Sequence, residues 1–210
     1  MGKIKTRILA VVMLALVLLT AISVSSCSKK LTKEEATAYV KEFVDKSYEI
    51  NVIIFGEGLE HLDEQDLQNP LYSPVVENDK YNSISDIKLA IREIYSKDYA
   101  ASLENTAFKG VESGVDGETL YPRYMENSAG ELLILTDYTS LDYTSEIYGK
   151  YHGIEVRKYD TSTVEIEKIN RRFVTAYVTS EDGKEKIRVT LTREEDSEGN
   201  YIWKLHSSTC

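Results

Sequence analysis

The chain has 210 residues, of which 42% are hydrophobic, and it carries 35 acidic against 25 basic residues. This acidic balance argues against nucleic acid as a partner, because phosphate binding needs clustered Lys and Arg. Its two cysteines, Cys27 and Cys210, are too few for a disulfide framework, so the fold is expected to depend on its hydrophobic core.

The first 26 residues have the pattern of a targeting segment. Lys3, Lys5 and Arg7 form a positive start, and an apolar run follows over residues 8–22. A membrane-spanning helix needs about 20 apolar residues, and this run is shorter. We therefore expect residues 1–26 to be a signal peptide that is removed from the mature protein.

The run ends in "VSSC", which has the form of a bacterial lipoprotein box: an aliphatic residue and two small ones before Cys27. In this interpretation Cys27 becomes the first mature residue, and its sulfur carries diacylglycerol. Each buried CH₂ adds about 0.8 kcal/mol, so two or three acyl chains hold a protein firmly. The predicted location is extracytoplasmic, anchored by lipid to the bacterial cell membrane. The alternative is an ordinary secretory peptide with an incidental cysteine.

Residues 27–31 would form a short tether, and residues 32–210 a single domain. Thr32 and Glu35 have the spacing of a helix capping box. Positions behind them recur at three and four residues, which predicts a long amphipathic helix that stops near Gly56. Those positions are Ala36, Val40, Phe43, Ser47, Ile50 and Ile54.

Residues 56–83 are predicted to be a loop, because they contain prolines, glycines and many acidic residues. Ser83 or Ser85 then caps a second helix, and Ser96 caps a third. The apolar sides of these two helices carry Ile87, Ile91, Ile94 and Tyr95, and then Tyr99, Leu103 and Ala107. The helical half is expected to end within residues 110–117.

From Leu120 the apolar period changes to two, which predicts antiparallel strands joined by short turns. In "KIRVTLT", for example, Ile187, Val189 and Leu191 alternate with polar residues, so one face of the sheet is expected to be covered. Helices followed by strands predict an α+β fold, with N-terminal helices packed on one face of a curved antiparallel meander.

The loop that follows the first helix offers Glu57, Glu60, His61, Asp63, Glu64 and Asp66. The pattern of an EF-hand is absent, and His61, His152 and His206 show no zinc-ligand spacing. We therefore expect a solvated acidic loop, with no metal and no cofactor.

Catalytic signatures are also missing from the sequence. There is no G-x-S-x-G motif, and Cys210 stands only four residues after His206, with no third, orienting group nearby. A reactive thiol at Cys210 is one interpretation, and an accident of a loose terminus is the other. Paired carboxylates carry no information, because 35 acidic residues allow any pairing. The chain is thus predicted not to be an enzyme.

The most unusual local feature is the tandem repeat "DYTSLDYTSE", residues 137–146. Tyrosine combines a large contact area with a hydroxyl group and is common in recognition loops. The candidate partner-binding residues are Tyr138, Tyr143, Tyr148 and Tyr151. Alternatively, these rings pack under the loop and support it.

The order of the segments resembles a known family. A lipoprotein box, "SYEINVIIFGEGL", "LYSPV", "YNSISDIKLAIREIYSKDYAASL", "YPRYMENSAGELLIL" and a terminal meander are similar to the DL-endopeptidase inhibitor family of secreted proteins in Gram-positive bacteria. The resemblance implies a non-enzymatic protein that blocks peptidoglycan hydrolases of the cysteine-peptidase type. It assigns no inhibitory residue to a position of this chain.

Two alternatives remain open. One is a lipoprotein of the nuclear-transport-factor-like kind, whose last strand often carries a Trp like Trp203 and whose pocket would hold a small ligand. The other is an enzyme that uses carboxylates and tyrosines in such a pocket. A deep apolar cavity with ionisable groups would favour either alternative, whereas a filled core would favour the inhibitor.

Overall fold

The computed structural model describes residues 30–112, 120–137 and 156–210. Within them, the expected α+β class is confirmed: apart from one short strand after the first helix, the helices precede the strands, and they pack against antiparallel strands. The helices are α1 (Lys33–Phe55), α2 (Ile84–Ile94) and α3 (Lys97–Lys109). The strands are β1 (Tyr72–Pro74), β2 (Val111–Glu112), β3 (Leu120–Tyr121), β4 (Tyr124–Glu126), β5 (Leu132–Leu135), β6 (Tyr159–Ile169), β7 (Phe173–Ser180), β8 (Lys186–Glu195) and β9 (Tyr201–Leu205). In these ranges, every helix is too short or too polar to cross a lipid bilayer.

The predicted caps define the helices. Thr32 Oγ1 accepts from the backbone N–H of Glu35 at 3.1 Å, and the Glu35 carboxylate accepts from the N–H of Thr32 at 2.8 Å. Ser83, the first of the two expected residues, caps α2, and Ser96 caps α3. All six positions predicted for the apolar side of α1 are buried, including the polar Ser47.

The large sheet has the strand order β6-β7-β8-β9 and is antiparallel throughout. Its covered face bears the expected alternation, with Val189 and Leu191 fully buried and Arg188 exposed. The main hydrophobic core lies between this face and the helices, and it includes Ile50, Ile54, Ile87, Ile91, Val174, Ala176, Val178, Trp203 and Leu205.

One edge of the large sheet is covered by the junction between α2 and α3. Tyr95 and Leu205 form a parallel bridge there, and the N–H of Ser96 donates to the carbonyl oxygen of Leu205 at 2.8 Å. The junction therefore occupies hydrogen-bonding groups of β9 that a sheet edge would otherwise expose.

The prediction that residues 56–83 form only a loop was wrong, because they contain β1. This strand pairs with β5 in a three-stranded sheet of order β1-β5-β4. It is an edge strand, where a proline such as Pro74 is tolerated because one side of the strand needs no hydrogen bond. Tyr72 is only 5% exposed, so the segment is anchored by a buried ring.

The strands after Leu120 were expected to continue into one meander, and this was wrong as well. β4 and β5 belong to the small sheet with β1, and β2 pairs with β3. The reason lies in "LLIL", the run of β5, whose four residues are all buried. Leu132 and Ile134 join the main core, whereas Leu133 and Leu135 pack in a second cluster with Tyr72. A strand such as β5, which is buried on both faces, does not fit into the large sheet, because one face of that sheet is exposed to solvent.

Arg123 and Gly58 position the chain where it leaves α1. The Arg123 side chain is buried, and its Nη2 donates to the carbonyl oxygens of Gly56 at 3.0 Å and of Glu57 at 3.1 Å. A cation suits this place, since the C-terminal end of a helix carries partial negative charge. Gly58 passes so close to Arg123 that only a residue without a side chain fits there.

Candidate binding surface

The residues proposed from the sequence as sites, which are Cys27, Tyr138, Tyr143, Tyr148 and Tyr151, lie outside the described residues. Lipidation of Cys27 and partner binding by the tyrosine loop therefore stay predictions.

An open groove lies between α1 and α2, and sequence reasoning did not predict it. It has a volume of about 430 Å³. Helical spacing places the lining residues of each helix on one side, three or four positions apart. They are Lys46, Glu49 and Ile50 of α1, Asp86, Leu89, Ala90, Glu93 and Ile94 of α2, and Lys80 and Tyr81 from the segment before α2. We call this surface the Tyr81 groove.

Buried apolar groups of Ile50, Ile94 and the Tyr81 ring line the groove beneath a charged rim. Leu89 stands at its side with 61% of its surface exposed. The solvent-exposed side of a helix usually carries polar residues. Leu89 is therefore the one sequence signal that could have indicated a contact surface here.

A salt bridge crosses the surface at one end. Lys80 Nζ lies 2.9 Å from Glu49 Oε1 and 5.9 Å from the centre of the Tyr81 ring. Burial raises the pKa of Tyr81 to about 12, and the charge of Glu49, its hydrogen bond and the charge of Glu93 act in the same direction. The phenol is therefore neutral at physiological pH.

A second recess of about 370 Å³ adjoins the Tyr81 groove and shares Glu49, Lys80 and Tyr81 with it. The Glu49–Lys80 pair is thus common to the walls of both depressions. An apolar floor with charges of both signs at the rim is suited to an apolar side chain of a partner that also carries polar groups.

Ser96 and His206 form a close pair of residue types that catalytic dyads use. Ser96 Oγ lies 2.6 Å from His206 Nδ1, but Ser96 is fully buried and also accepts from the N–H of Tyr99. The Glu194 carboxylate accepts from the N–H of Lys97 at 3.2 Å, so an anion already occupies the place where an oxyanion would bind at this helix end. Ser96 is the N-terminal cap of α3, and His206 is its hydrogen-bond partner.

Lys204 lines a cleft of about 320 Å³ between the α2–α3 junction and the β8–β9 hairpin. Burial lowers its pKa, and the charges of Glu93 and Glu194 partly offset this effect. Its Nζ donates to the carbonyl oxygens of Arg92, at 3.0 Å, and of Glu93, at the C-terminal end of α2. This lysine caps a helix, as basic residues near helix C-termini commonly do.

The carboxyl groups with shifted pKa values all shift in one direction among the described residues. In each of them the pKa is lowered, chiefly because the carboxylate accepts hydrogen bonds from turn or cap groups. They are Asp66, Asp86, Asp160, Asp182 and Asp196. A general acid needs a raised pKa, so these five groups do not have that role.

The acidic loop, residues 57–66, is largely exposed, and its last residue has a structural role. Asp66 Oδ1 accepts from the backbone N–H groups of Gln68 and Asn69, which shapes the following turn. Across residues 30–112, 120–137 and 156–210, no three His, Cys, Asp or Glu side chains come together in a way that would hold a metal ion.

The segment at Cys210 is not loose, contrary to one of the two expectations. Thr209 is 2% exposed and forms hydrogen bonds to α1. Although Cys210 as a residue is exposed, desolvation of its thiol raises the pKa of that group, and the charge of Glu185 adds to this effect. Because the thiolate is the reactive form, this environment disfavours a nucleophilic role for Cys210.

Comparison of the chain with models of protein families gives no match, and comparison with curated proteins gives none either.

Proposed function

We propose that the protein is a lipid-anchored protein of the bacterial cell surface that binds another envelope protein, without catalysis of its own. The proposed target is a peptidoglycan DL-endopeptidase, which the protein would inhibit. The observation that carries the binding role is the Tyr81 groove, an exposed surface with an apolar floor on the helical side of the domain.

The potentially reactive side chains outside the Tyr81 groove have structural roles, which supports a function without catalysis. Ser96, His206 and Lys204 have chemistry that enzymes use, yet each is hydrogen-bonded within the fold, and Ser96 and Lys204 cap helices. None of the three lines the Tyr81 groove. The outer face of the large sheet likewise satisfies its charges internally, for example Arg188 with Glu167 at 3.0 Å.

The filled interior favours a binding surface over a ligand-carrying pocket. In the nuclear-transport-factor-like alternative, a ligand would lie between the helices and the large sheet. Apolar side chains fill that space here. The cavities found in the described residues lie between α1 and α2, between α1 and the segments outside the helices near it, or at a hairpin near the surface.

The lipoprotein box and the family resemblance support the choice of target. An anchor at Cys27 would place the domain where cell-wall hydrolases act, and the resemblance implies inhibitors of the cysteine-peptidase type. The tyrosine loop, with Tyr138 and Tyr143, is the proposed main contact, and the Tyr81 groove is a second one.

The test is an inhibition assay with the unlipidated protein, cell-wall fragments and the DL-endopeptidases of the same cell envelope. Tyr138→Ala combined with Tyr143→Ala should raise the inhibition constant about thirty-fold, because aromatic anchors contribute about 2 kcal/mol or more to interfaces. Leu89→Asp tests the Tyr81 groove. Leu67→Asp, at a fully exposed position next to the acidic loop, is the matched control.

Each variant must keep the melting temperature of the wild type. Weaker inhibition by Leu67→Asp alone would move the contact to the acidic loop, residues 57–66. If the wild type inhibits and binds none of these enzymes, the inhibitor proposal is rejected.

A further inference from the structure

A chain of buried polar side chains connects α1 to residues 206–210, which we call the strap. Ser47 and Asn51 of α1, Tyr95 of the α2–α3 junction and Thr209 of the strap are each at most 2% exposed. Four polar side chains are rarely placed together in a core unless hydrogen bonds satisfy them.

The hydrogen bonds run in one direction through this cluster. The Tyr95 hydroxyl donates to Asn51 Oδ1 at 3.3 Å, and Asn51 Nδ2 donates to Thr209 Oγ1 at 2.8 Å. Thr209 Oγ1 in turn donates to Ser47 Oγ at 2.8 Å, and Ser47 Oγ donates to the carbonyl oxygen of Val44 at 2.7 Å. The Thr209 hydroxyl therefore lies between one donor and one acceptor that both belong to α1.

This arrangement has the properties of a site for a neutral hydroxyl group. Ser47 and Asn51 carry no charge, and burial raises the pKa of Tyr95, so that its phenol also stays neutral. Sites that pair a donor and an acceptor around a hydroxyl reject analogues that lack it, because their own buried groups would then lose their partners.

The strap is held by Thr209 and by contacts near its start, where His206 Nδ1 lies 2.6 Å from Ser96 Oγ and Ser207 Oγ accepts from the N–H of Thr190 at 3.0 Å. Its main-chain ladder with β8 ends at Leu205, and beyond that point the N–H of His206 donates to Thr190 O at 2.7 Å. Ser208 and Cys210 on either side of Thr209 are exposed. The contacts of His206 and Ser207 precede residue 208, so Thr209 can leave α1 without breaking them or the β8–β9 pairing when only residues 208–210 move.

We propose that Ser47, Asn51 and Tyr95 form a recognition site for a neutral hydroxyl group, which Thr209 occupies in the same chain. When the strap leaves, the site accepts the hydroxyl of a small alcohol-type ligand or of a Ser or Thr side chain of a peptide. The strap acts as an intramolecular competitor for this site. This proposal is independent of the inhibitor role.

The first experiment is chemical rescue in the full chain. Thr209→Gly removes a group of the size and chemistry of ethanol, and ethanol is the probe. At several times its dissociation constant, ethanol should raise the melting temperature of Thr209→Gly by about 2–4 °C through mass action. Thr209→Val is the matched control, because its side chain fills the recess without a hydroxyl, and ethanol should not stabilise it.

The second experiment identifies the source of the hydroxyl. A variant that lacks residues 207–210 is titrated with the peptide of residues 205–210, and with the same peptide carrying Val in place of Thr209. The Thr peptide should bind at least about tenfold tighter, because the Val peptide leaves two buried polar groups without partners. If the Thr peptide binds the shortened variant, the site is one for peptide side chains. If ethanol stabilises Thr209→Gly but the peptide does not bind, the site is one for small free ligands.

If ethanol affects Thr209→Gly and Thr209→Val equally, and the two peptides bind equally, the proposal is overturned. Should the shortened variant fail to fold, the comparison of Thr209→Gly with Thr209→Val decides by itself.

Discussion

Tyr124 of β4 holds the last turn of α1 through Ile53. Its hydroxyl, which is buried, donates to the carbonyl oxygen of Ile53 at 2.9 Å, and it accepts from the N–H of Leu59 at 3.0 Å. One oxygen atom thus ties the end of the long helix, and the chain that leaves it, to the small sheet.

Loss of this oxygen should destabilise the fold. We expect Tyr124→Phe to lower the free energy of unfolding by about 1–3 kcal/mol, because buried backbone groups lose a partner. Urea denaturation measures the change. Tyr201→Phe, at a ring that is 48% exposed, is the matched control and should be close to neutral. Equal effects of the two substitutions would contradict the assigned role of Tyr124.

Two glycines with nearly the same positive φ angle should respond very differently to alanine. Gly58 and Gly130 have φ angles of +85° and +83°. A Cβ atom at Gly58 would lie 2.4 Å from Ile134 Cδ1 and 2.6 Å from Arg123 Nη2, whereas at Gly130 it would meet nothing within 4 Å. Gly130→Ala should therefore cost about 1 kcal/mol for the backbone alone.

Gly58→Ala adds a steric clash to the same backbone strain, and we expect a total loss of about 3 kcal/mol. The difference between the two melting curves isolates the packing contribution. Similar losses for both variants would mean that the chain at Gly58 relaxes away from Arg123.

Tyr81, which lines the Tyr81 groove, should ionise at an unusually high pH, and the folded protein should lose stability as the pH approaches that value. Burial and the charge of Glu49 raise the pKa of Tyr81 to about 12, above the ordinary value of about 10. The resulting stabilisation is fully present below about pH 10 and is lost as the pH rises toward 12, since the unfolded chain ionises first. Tyrosinate absorbance should show that Tyr81→Phe removes a group titrating near pH 12.

Glu49→Gln should lower the pKa of Tyr81, because the carboxylate charge is one cause of the shift. Glu42→Gln, on the same helix, removes a charge that pairs with Lys46 instead, and it should leave the titration unchanged. A Tyr81 that titrates near pH 10 in the folded protein would show that water reaches the phenol freely.

The anchor is tested by metabolic labelling with a fatty-acid analogue. The wild type should incorporate the label and Cys27→Ser should not, because the thiol of Cys27 is the proposed attachment point. Label on both proteins, or on neither, would remove the lipoprotein interpretation.

Local patterns predicted the helices well because caps and apolar periodicity are short-range. Thr32 with Glu35, and the series from Ala36 to Ile54, contain nearly all the information that α1 needs. The strand β1 was missed because it has three residues and its partner, β5, lies about 60 positions later. No local signal in "LYSP" reports that pairing.

The candidate surfaces were harder to predict, since they arise from packing between distant segments. The Tyr81 groove exists only when α1 and α2 lie side by side. The buried polar cluster joins Ser47 to Thr209, which are 162 positions apart. One sequence signal was present: Ser47 interrupts an otherwise apolar series, and a polar residue at such a position requires a buried partner.

The bridge between Tyr95 and Leu205 also bears on self-association. A sheet that grows from molecule to molecule, as in a fibril, needs two open edges on every copy. The main-chain oxygen of Leu205 already accepts from Ser96, so β9 offers an incoming strand no continuous row of free groups. The α2–α3 junction therefore hinders strand addition at the β9 edge of the large sheet, and it disfavours growth of that sheet from molecule to molecule through this edge.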